Sequence, residues 1–299
     1  MQKIYPIMFV VSIGLTIVAL AALLMFGLNL GVDFKGGSIL EISFSGERPA
    51  VDNIQGLLKS KFPDKDISIY ASGNDGFILR TGELLEKEHQ DIFNSVKKEY
   101  SKTTVTEKRF DSVGPIIGQE LKQKSVKALI LTLLAIVVYI AFVFRKMSTA
   151  LSSWAMSIAA MLALAHDVLI PIGVFSLLGH FYGVEISAVF VAAILTILGY
   201  SVSDTVVVFD RVRENVIRNR SKENFGEIVH KSIMQTLTRS LNTNLTVLLS
   251  LVSIYLFGGE SLKYFSLALI IGIFLGAYSS IFVASPLLVW WSVWTRKNR

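Results

Sequence analysis

The chain of 299 residues contains no cysteine and few charges, and each shortage excludes a class of protein. Without cysteine, disulfide bonds and thiolate metal sites are excluded. The four histidines are not closely spaced, so we expect no metal cluster. Charged residues make up 17% of the chain, against about 25% in soluble domains. With 52% hydrophobic residues and a mean hydropathy of +0.56, the composition is that of a membrane protein.

A phosphate-binding loop is also missing. Gly31–Ser38 (GVDFKGGS) has suitable glycines, but Gly37 occupies the position of the lysine that contacts phosphate, and a strand rather than a helix is predicted to follow. We therefore expect no ATP hydrolysis, no other enzymatic activity and no cofactor, so any work needs another energy source. Gly31, Gly36 and Gly37 instead predict a tight, φ-permissive turn between a membrane helix and a strand.

Six apolar stretches are long enough to cross a bilayer as helices, for which about 20 residues are needed. The apolar core of the first is longer than that of a signal peptide and no small-residue cleavage site follows, so we expect this helix to be retained. The predicted helices lie at about residues 6–28, 126–144, 149–178, 184–207, 240–258 and 263–291.

Basic residues in the short loops are concentrated on one side of these helices. By the positive-inside rule both termini and the 208–239 connection are cytoplasmic, and residues 29–125 are external. The short loops of the other side carry only Lys263. The net charge of +6 is therefore a topology signal, and we expect no nucleic-acid partner. The cytoplasmic set is Lys3, Arg145, Lys146, Arg211, Arg213, Arg218, Arg220, Lys222, Lys231, Arg239, Arg296, Lys297 and Arg299.

Residues 29–125 alternate predicted strands and helices. A strand at 38–44 precedes a helix at 51–61, a hairpin of strands 67–71 and 77–80, a helix at 84–100 and a strand at 103–110. This βαββαβ order is that of an α+β ferredoxin-like domain, a fold that hosts many functions.

The predicted fold class is thus a polytopic α-helical membrane protein with six transmembrane helices and an external α+β domain between the first two. The predicted domains are the first helix (1–28), the external domain (29–125) and the remaining helices (126–299), which include a cytoplasmic amphipathic segment at about 208–239.

Asp167 is the sole formal charge between Lys146 and Glu185. A carboxylate is costly in hydrocarbon, so one found there indicates a proton or ion site. The alternative is a carboxyl that caps an interface or is hydrogen-bonded inside the bundle. Pro171 removes the helical partner of the Asp167 carbonyl and predicts a kink. The kink either couples protonation to bending or is an ordinary proline bend.

Asp204, in the next helix, is a second candidate. Counted from the outer loop, it lies roughly 10 Å deeper than Asp167, towards the cytoplasm, so the two need not pair. They are predicted to mark successive points on one proton path. The alternative is that Asp204 caps a helix or pairs with Arg211 or Arg239. Hydroxyl groups for such a path are offered by Ser201, Ser203 and Thr205.

Three further features of the membrane helices are relevant to the two carboxyls and to their surroundings. His166 points about 100° away from Asp167 on a helix, and either relays protons or is hydrogen-bonded in the bundle. Asn242 and Asn244 are amides expected to join helices. Small residues at every fourth position of the sixth helix predict close packing, within this bundle or against a partner: Gly272, Gly276 and Ser280.

Four motifs, in order and in the expected topological places, resemble SecF, a family of membrane subunits in the auxiliary complex of the protein-export translocon. They are Gly31–Gly37 (GVDFKGG), Ser112–Gly118 (SVGPIIG), Ala165–Asp167 (AHD) and Gly199–Asn215 (GYSVSDTVVVFDRVREN). Arg211 and Arg213 match the DRxREN pattern; they either anchor a solvated interfacial helix or contact the channel or the membrane surface. The other positions carrying the resemblance are Gly31, Asp33, Phe34, Gly36, Gly37, Gly114, Pro115 and Gly199.

The resemblance implies a member of the resistance-nodulation-division superfamily, which couples proton flow to movement of an external domain. It implies SecD, the SecYEG channel and a translocating preprotein as partners in the inner membrane, with protons as coupling ion. One six-helix unit corresponds to an unfused SecF. Two alternatives stay open. One is a small-molecule or lipid exporter of the same superfamily, although those typically carry two six-helix halves. The other is a passive scaffold that stabilises the translocon.

Overall fold

The computed structural model describes residues 3–46, 48–144, 153–219 and 224–297. The chain divides into two compact units: a membrane unit, Met1–Asn29 with Lys127–Arg299, and an inserted unit, Leu30–Val126. Part of the orientation prediction rests on basic residues outside the described ranges, namely Arg145, Lys146, Arg220, Lys222 and Arg299.

The described residues form ten α-helices, four strands and one π-helical segment. In chain order these are α1 (Ile4–Phe26), α2 (Val32–Lys35), β1 (Gly37–Phe44), α3 (Val51–Lys61), β2 (Ser68–Ser72), β3 (Gly76–Thr81), α4 (Glu86–Glu99), β4 (Val105–Val113), α5 (Pro115–Val143), α6 (Ser153–Tyr182), α7 (Ala188–Asn219), α8 (Phe225–Phe257), α9 (Glu260–Ser279), the π segment (Ser280–Ala284) and α10 (Ser285–Lys297).

Six helical spans among the described residues are long and apolar enough to cross a membrane, as the sequence predicts. They are α1, α5, α6, α7, α8 and the continuous stretch from α9 through the π segment into α10. The chain is therefore a multi-pass membrane protein.

Several predicted helix boundaries are wrong, because hydropathy finds the apolar part of a helix and not its ends. The second span begins at Pro115 rather than near 126. Its polar first turns stay helical, and an ion pair of 2.8 Å between Glu120 and Lys124 one turn apart supports them. The span predicted to end near 207 continues to Asn219 as α7, and the span predicted to begin near 240 begins at Phe225 as α8. The described part of the segment predicted at 208–239 lies in these helix ends, and its amphipathic, cytoplasmic character stays a prediction.

Close helix packing in the membrane unit depends on small residues. A Cβ on Gly173 of α6 would lie 2.5 Å from Cα of Ala19 in α1. A Cβ on Gly272 of α9 would collide with the Ile197 side chain of α7, and one on Gly276 would lie 3.1 Å from Cβ of Ser201. The small-residue face of α9 therefore packs inside this unit. The sequence left open whether this face packs within the bundle or against a partner, and the structure shows packing within the bundle.

The inserted unit contains a four-stranded sheet with the strand order β2-β3-β1-β4, in which all three pairings are antiparallel. The βαββαβ order is confirmed for this unit, and the strand order is compatible with a ferredoxin-like arrangement. The core beneath the sheet is built from apolar side chains that are at most 2% exposed: Leu40, Ile42, Ile54, Leu58, Phe77, Leu79, Ile92 and Val96.

The glycine-rich motif forms one helical turn, α2, and then two residues with positive φ. Gly36 has φ +81° and Gly37 has φ +128°, a region that favours glycine. Gly31, by contrast, has φ −79°, so the prediction that it needs glycine's conformational freedom is wrong. Phe34, at the centre of α2, is 4% exposed, and Asp33 lies in its first turn.

The two motifs of the inserted unit pack against each other. A Cβ on Gly36 would lie 2.7 Å from Cα of Pro115, and one on Gly118 would lie 2.9 Å from the backbone N of Gly36. A Cβ on Gly114 would lie 3.1 Å from the Glu83 carboxylate. Gly36 and Gly118 are therefore required by backbone contact, whereas Gly114 meets a side chain, and the two motifs form one structural feature.

Candidate functional site

Asp167 lies in the middle of α6 and is fully buried, with 0% of its surface exposed. Its Oδ2 accepts hydrogen bonds from Ser201 of α7 at 2.5 Å and from Ser279, the last residue of α9, at 2.6 Å. Its Oδ1 lies 2.8 Å from Nδ1 of His166. Three polar groups from three helices thus converge on one carboxyl. Such a group is stable away from water because its oxygens are hydrogen-bonded.

His166 contacts Asp167 directly, and the expectation that it points away is wrong. Neighbouring Cβ atoms on a helix do diverge by about 100°, but the imidazole is long enough to turn back to the next carboxyl. The ring is 4% exposed and stacks on Tyr278, with 6.2 Å between ring centroids. Its other nitrogen, Nε2, is buried and has no hydrogen-bond partner among the described residues.

Asp204 lies in a second part of the same polar interior and does not bond to Asp167. Its Oδ1 accepts a hydrogen bond from Ser240 of α8, and its Oδ2 is buried without a hydrogen-bond partner in the described part of the chain. Neither predicted ion pair is formed among the described residues, where Arg211 bonds instead to Gln235 and Glu214. Asp204 lies inside α7, away from the helix ends, so it does not cap that helix.

Hydroxyl groups occupy the space between the two carboxyls. Thr205 of α7 lies 3.0 Å from the Ser280 hydroxyl, and Ser280 directly follows Ser279, the partner of Asp167. Ser201 and Thr205 therefore contribute hydroxyls as predicted, whereas Ser203 is exposed and does not. We call Asp167, His166, Ser201, Thr205, Ser279, Ser280, Ser240 and Asp204 the polar cluster.

The π segment begins immediately after Ser279. Ser280 donates to the carbonyl of Gly276 at 2.9 Å, and Ser285 donates to the carbonyl of Ser280, five residues earlier, at 2.7 Å. π-helical turns inside α-helices are rare and frequently occur at functional sites. This turn sets the direction in which two adjacent serines of the cluster face.

The remaining predicted residues lie around this cluster or away from it. Pro171 is inside α6, which continues through it, and the predicted kink stays a prediction. Asn242 is exposed and is not part of the site. Asn244, two positions on and therefore on the other side of α8, is buried and donates to the carbonyl of Ser240 at 2.7 Å.

Arg211 and Arg213 belong to a separate contact between α7 and α8. Nε of Arg211 donates to Gln235 at 2.7 Å, and Asn215 donates to Gln235 and to Ser232, both at 2.8 Å. Arg213 pairs with Asp210 at 3.4 Å. The DRxREN motif thus contributes to holding two long helices together.

Sequence reasoning missed Ser240 and Ser279, and it assigned Ser280 to helix packing only. The adjacent serines at 279 and 280 in an otherwise apolar helix were a signal, but an ambiguous one. Serine and threonine in membrane helices commonly bond to their own backbone, as Thr196, Ser253 and Ser266 do here. Only the packing of α9 on α6 and α7 shows which serines bond to a side chain of another helix and which bond to their own backbone.

This fold and site define a class: α-helical membrane proteins with six spans, an inserted α+β unit and a buried intramembrane carboxyl. A family model for the C-terminal part of the protein-export membrane proteins SecD and SecF matches residues 92–294, and a model for the SecD/SecF GG motif matches residues 21–47. The protein translocase subunit SecF of Thermobaculum terrenum is 42% identical over 90% of this chain and 86% of its own length. That of Anaerolinea thermophila is 38% identical over 95% and 91%. The chain therefore belongs to the SecF family of protein translocase subunits.

A solved structure has the same architecture. The crystal structure of SecDF from Thermus thermophilus, described as a translocon-associated membrane protein, matches 97% of this chain with a TM-score of 0.79 and 34% sequence identity. The matched part is 37% of the SecDF chain. This chain therefore spans little more than a third of that longer protein.

Proposed function

We propose that this chain is an accessory subunit of the Sec translocase that, together with SecD, uses the proton-motive force to draw preproteins across the inner membrane. Family membership supports a role in Sec translocation. The observation that carries the energetic part is the burial of Asp167 among three hydrogen-bonding groups from α6, α7 and α9. An ionisable group inside a membrane bundle marks a proton or ion pathway by default.

Protonation of this carboxyl changes what its neighbours must do. Ionised, Asp167 accepts from Ser201, Ser279 and His166; protonated, one of its oxygens carries a hydrogen and becomes a donor. At least one of the three neighbours must then rotate, or His166 must adopt the tautomer in which Nδ1 accepts. Because those neighbours belong to different helices, gaining and losing a proton alters the bonds between α6, α7 and α9.

Asp204 is proposed as the second point of the path. It lies in the same helix as Ser201 and Thr205, and the Thr205–Ser280 contact of 3.0 Å lies between the two carboxyls. Its Oδ2 is buried and has no hydrogen-bond partner among the described residues, so it can accept from one further donor such as a water molecule. With both termini on the cytoplasmic side, protons would enter near Asp167 and leave near Asp204.

The proposed partners are SecD, the SecYEG channel and the preprotein. Support for SecD comes from Thermus thermophilus, where a SecDF protein is 36% identical to this chain over 98% of it but only 38% of the relative is matched. We infer that SecD supplies the equivalent of the rest. The inserted unit, external in this orientation, is the part that would move against the preprotein.

Two experiments test this function. Affinity purification of the tagged chain from the membrane should recover SecD and channel subunits; a superfamily exporter acting alone would recover neither.

Reconstituted vesicles with the channel, SecD and this chain should complete preprotein export faster when a proton-motive force is imposed. A passive scaffold would increase export equally with and without the force, and that result would contradict the proposal.

A further inference from the structure

The sheet of the inserted unit ends in two edge strands, β2 and β4, and they differ in how they are protected. β4 carries charged side chains, among them Lys108 and Arg109, which are exposed. Its pairing with β1 is also interrupted by a register shift between Glu41 and Ile42. Charged side chains and β-bulges are devices by which natural proteins prevent an edge from pairing with another chain. β4 has both of them.

β2 (Ser68–Ser72) has neither device. None of its five side chains, SIYAS, is charged, and its pairing with β3 runs without a register shift. Among the described residues β2 pairs with β3 alone, so the outer row of its backbone N–H and C=O groups has no strand partner there. Ser68, Tyr70 and Ala71 are exposed. Another extended backbone matches such a row, because its donors and acceptors recur at the same spacing.

The residues at the two ends of β2 define the charge of the chain that fits. Asp64 and Asp66 precede the strand, Asp75 follows it, and all three are exposed. The basic side chain between them, Lys65, is bound to Glu88 at 2.6 Å. A neutral or basic segment is therefore favoured over an acidic one. Antiparallel pairing with β2 of a second copy is disfavoured, because it would place the acidic end at Asp66 opposite the acidic end at Asp75.

We propose that β2 pairs with an extended, neutral or basic segment of the exported preprotein, which adds a fifth strand to the sheet. This rests on the proposed function, which supplies a preprotein as partner. Main-chain hydrogen bonds give such pairing its affinity whatever the partner's sequence, which suits a chain that changes as it passes. No charged side chain of β2 fixes the register, so the segment can shift along the edge and be released.

Tyr70 adds a side-chain contact to this pairing. It is 50% exposed, and the Arg80 guanidinium of β3 lies 4.9 Å from the centre of its ring. The ring is therefore supported from within the sheet and presents an apolar surface beside the added strand. Contacts between side chains of neighbouring strands on one face stabilise a sheet.

The first test is amide hydrogen exchange of the full-length protein in phospholipid nanodiscs. The probe is a synthetic unstructured peptide of alternating threonine and valine with a lysine at each end. We expect this peptide to slow exchange in β2 saturably and to leave exchange in β4 unchanged. A peptide of the same composition in a rearranged order should act equally. A peptide with proline at every second position should have no effect, because proline cannot donate to the ladder.

A matched pair of variants separates the two edges. Ala71→Lys places on β2 the kind of charge that protects β4, and it should abolish the slowing of exchange. Thr106→Lys places the same charge on the exposed side of β4 and should leave the slowing intact. Equal slowing in both variants would overturn the proposal.

The second test identifies the preprotein as the occupant. In vesicles that hold the channel, SecD, this chain and a preprotein arrested during export, a photoreactive phenylalanine at position 70 should crosslink to the preprotein, and one at position 108 should not. Equal crosslinking from both positions would contradict the proposal. So would slowed exchange in β2 on addition of SecD without peptide, since β2 would then be a fixed subunit interface. Acceleration of export by the proton-motive force is measured separately, so either result leaves the proposed function standing.

Discussion

The Ser279 hydroxyl donates a hydrogen bond of 2.6 Å to the Asp167 carboxylate, across 112 residues of sequence. Ser279 is the last residue before the π segment, and Asp167 is the single acidic group of α6. The bond therefore joins a local distortion of one membrane helix to the buried charge of another. A proton on Asp167 and the geometry of the α9–π junction are consequently linked.

Loss of that bond should destabilise the protein more than loss of a comparable serine. In Ser279→Ala the carboxylate loses a buried donor, and we expect the free energy of unfolding to fall by about 1–3 kcal/mol. Ser266→Ala is the matched control, because Ser266 is equally buried on α9 but bonds only to carbonyls of its own helix. Denaturant unfolding of both variants decides, and equal losses would argue against a special role for Ser279.

The contact of Gly272 with Ile197 should be intolerant of a single methyl group. Gly272→Ala overfills the α7–α9 interface, and we expect a loss of about 1–3 kcal/mol. Ile197→Ala deletes a buried side chain and should itself cost about 2–5 kcal/mol. Because it also removes the atoms that the methyl would meet, the double variant should lose less stability than the sum of the two single losses. Gly199→Ala, in α7 with open space around it, should be neutral or slightly stabilising. Thermal unfolding in detergent measures the stability of the two single variants, of the double variant and of Gly199→Ala. Additive effects of Gly272→Ala and Ile197→Ala would contradict the packing of α7 against α9.

Gly36→Ala should disturb the inserted unit and leave the membrane unit folded. The substitution meets both a positive φ and the backbone of Pro115, at 2.7 Å from its Cα. Hydrogen exchange of the intact protein should show faster exchange in α2, β1 and the first turns of α5. Gly56→Ala, in α3 with nothing nearby, is the control. Unchanged exchange in the Gly36 variant would show that the two motifs do not depend on each other.

One pH dependence is expected from the inserted unit. The Lys65 ammonium, at 2.6 Å, and the backbone N–H of Leu85 lower the pKa of Glu88 from its ordinary value of 4.5. Because the pKa is lower in the folded state, the stabilisation is fully present above about pH 4.5 and is lost as the pH falls through the lowered value.

Glu88→Gln should therefore reduce the melting temperature at about pH 6, and the difference from the unsubstituted protein should shrink at about pH 3. Glu99→Gln, at the other end of α4, serves as the control for a change of charge on the same helix. A difference that is the same at both pH values would mean that the Lys65–Glu88 contact does not contribute to stability.

The parts of the fold that follow local chemistry were predictable from the sequence. Apolar length identified six spans, and period-two and helical patterns identified the βαββαβ unit. Helix ends were not predictable, because α5 and α7 continue through charged residues wherever nothing breaks the backbone ladder. The glycine motif was recognisable, and the positive φ of Gly36 and Gly37 was anticipated, but a second reason for Gly36 was not. Gly36 is required by its contact with Pro115, which is distant in sequence.

The residues of the candidate site also include some that were predictable from the sequence and some that were not. Asp167 was identifiable because an isolated charge in an apolar run is costly wherever the helix packs. Its partners were not, since Ser279 looks like any serine that bonds to its own helix. His166 was misjudged because backbone geometry fixes where a side chain starts and not where a long ring ends. Asn242 and Asn244 could not be told apart, because nothing in the sequence shows which side of α8 is buried.

The proposed function depends most on proton exchange at Asp167, and the substitution Asp167→Asn tests this directly. The amide keeps the size of the carboxyl and can still bond to Ser201 and Ser279, but it cannot ionise. The measurement is the rate of preprotein export in vesicles containing the channel, SecD and this chain, with and without an imposed proton-motive force. We expect the variant to assemble normally and to export at an unchanged rate without the force, whereas the acceleration by the force should disappear. Full acceleration in the Asp167→Asn vesicles would contradict the proposed function.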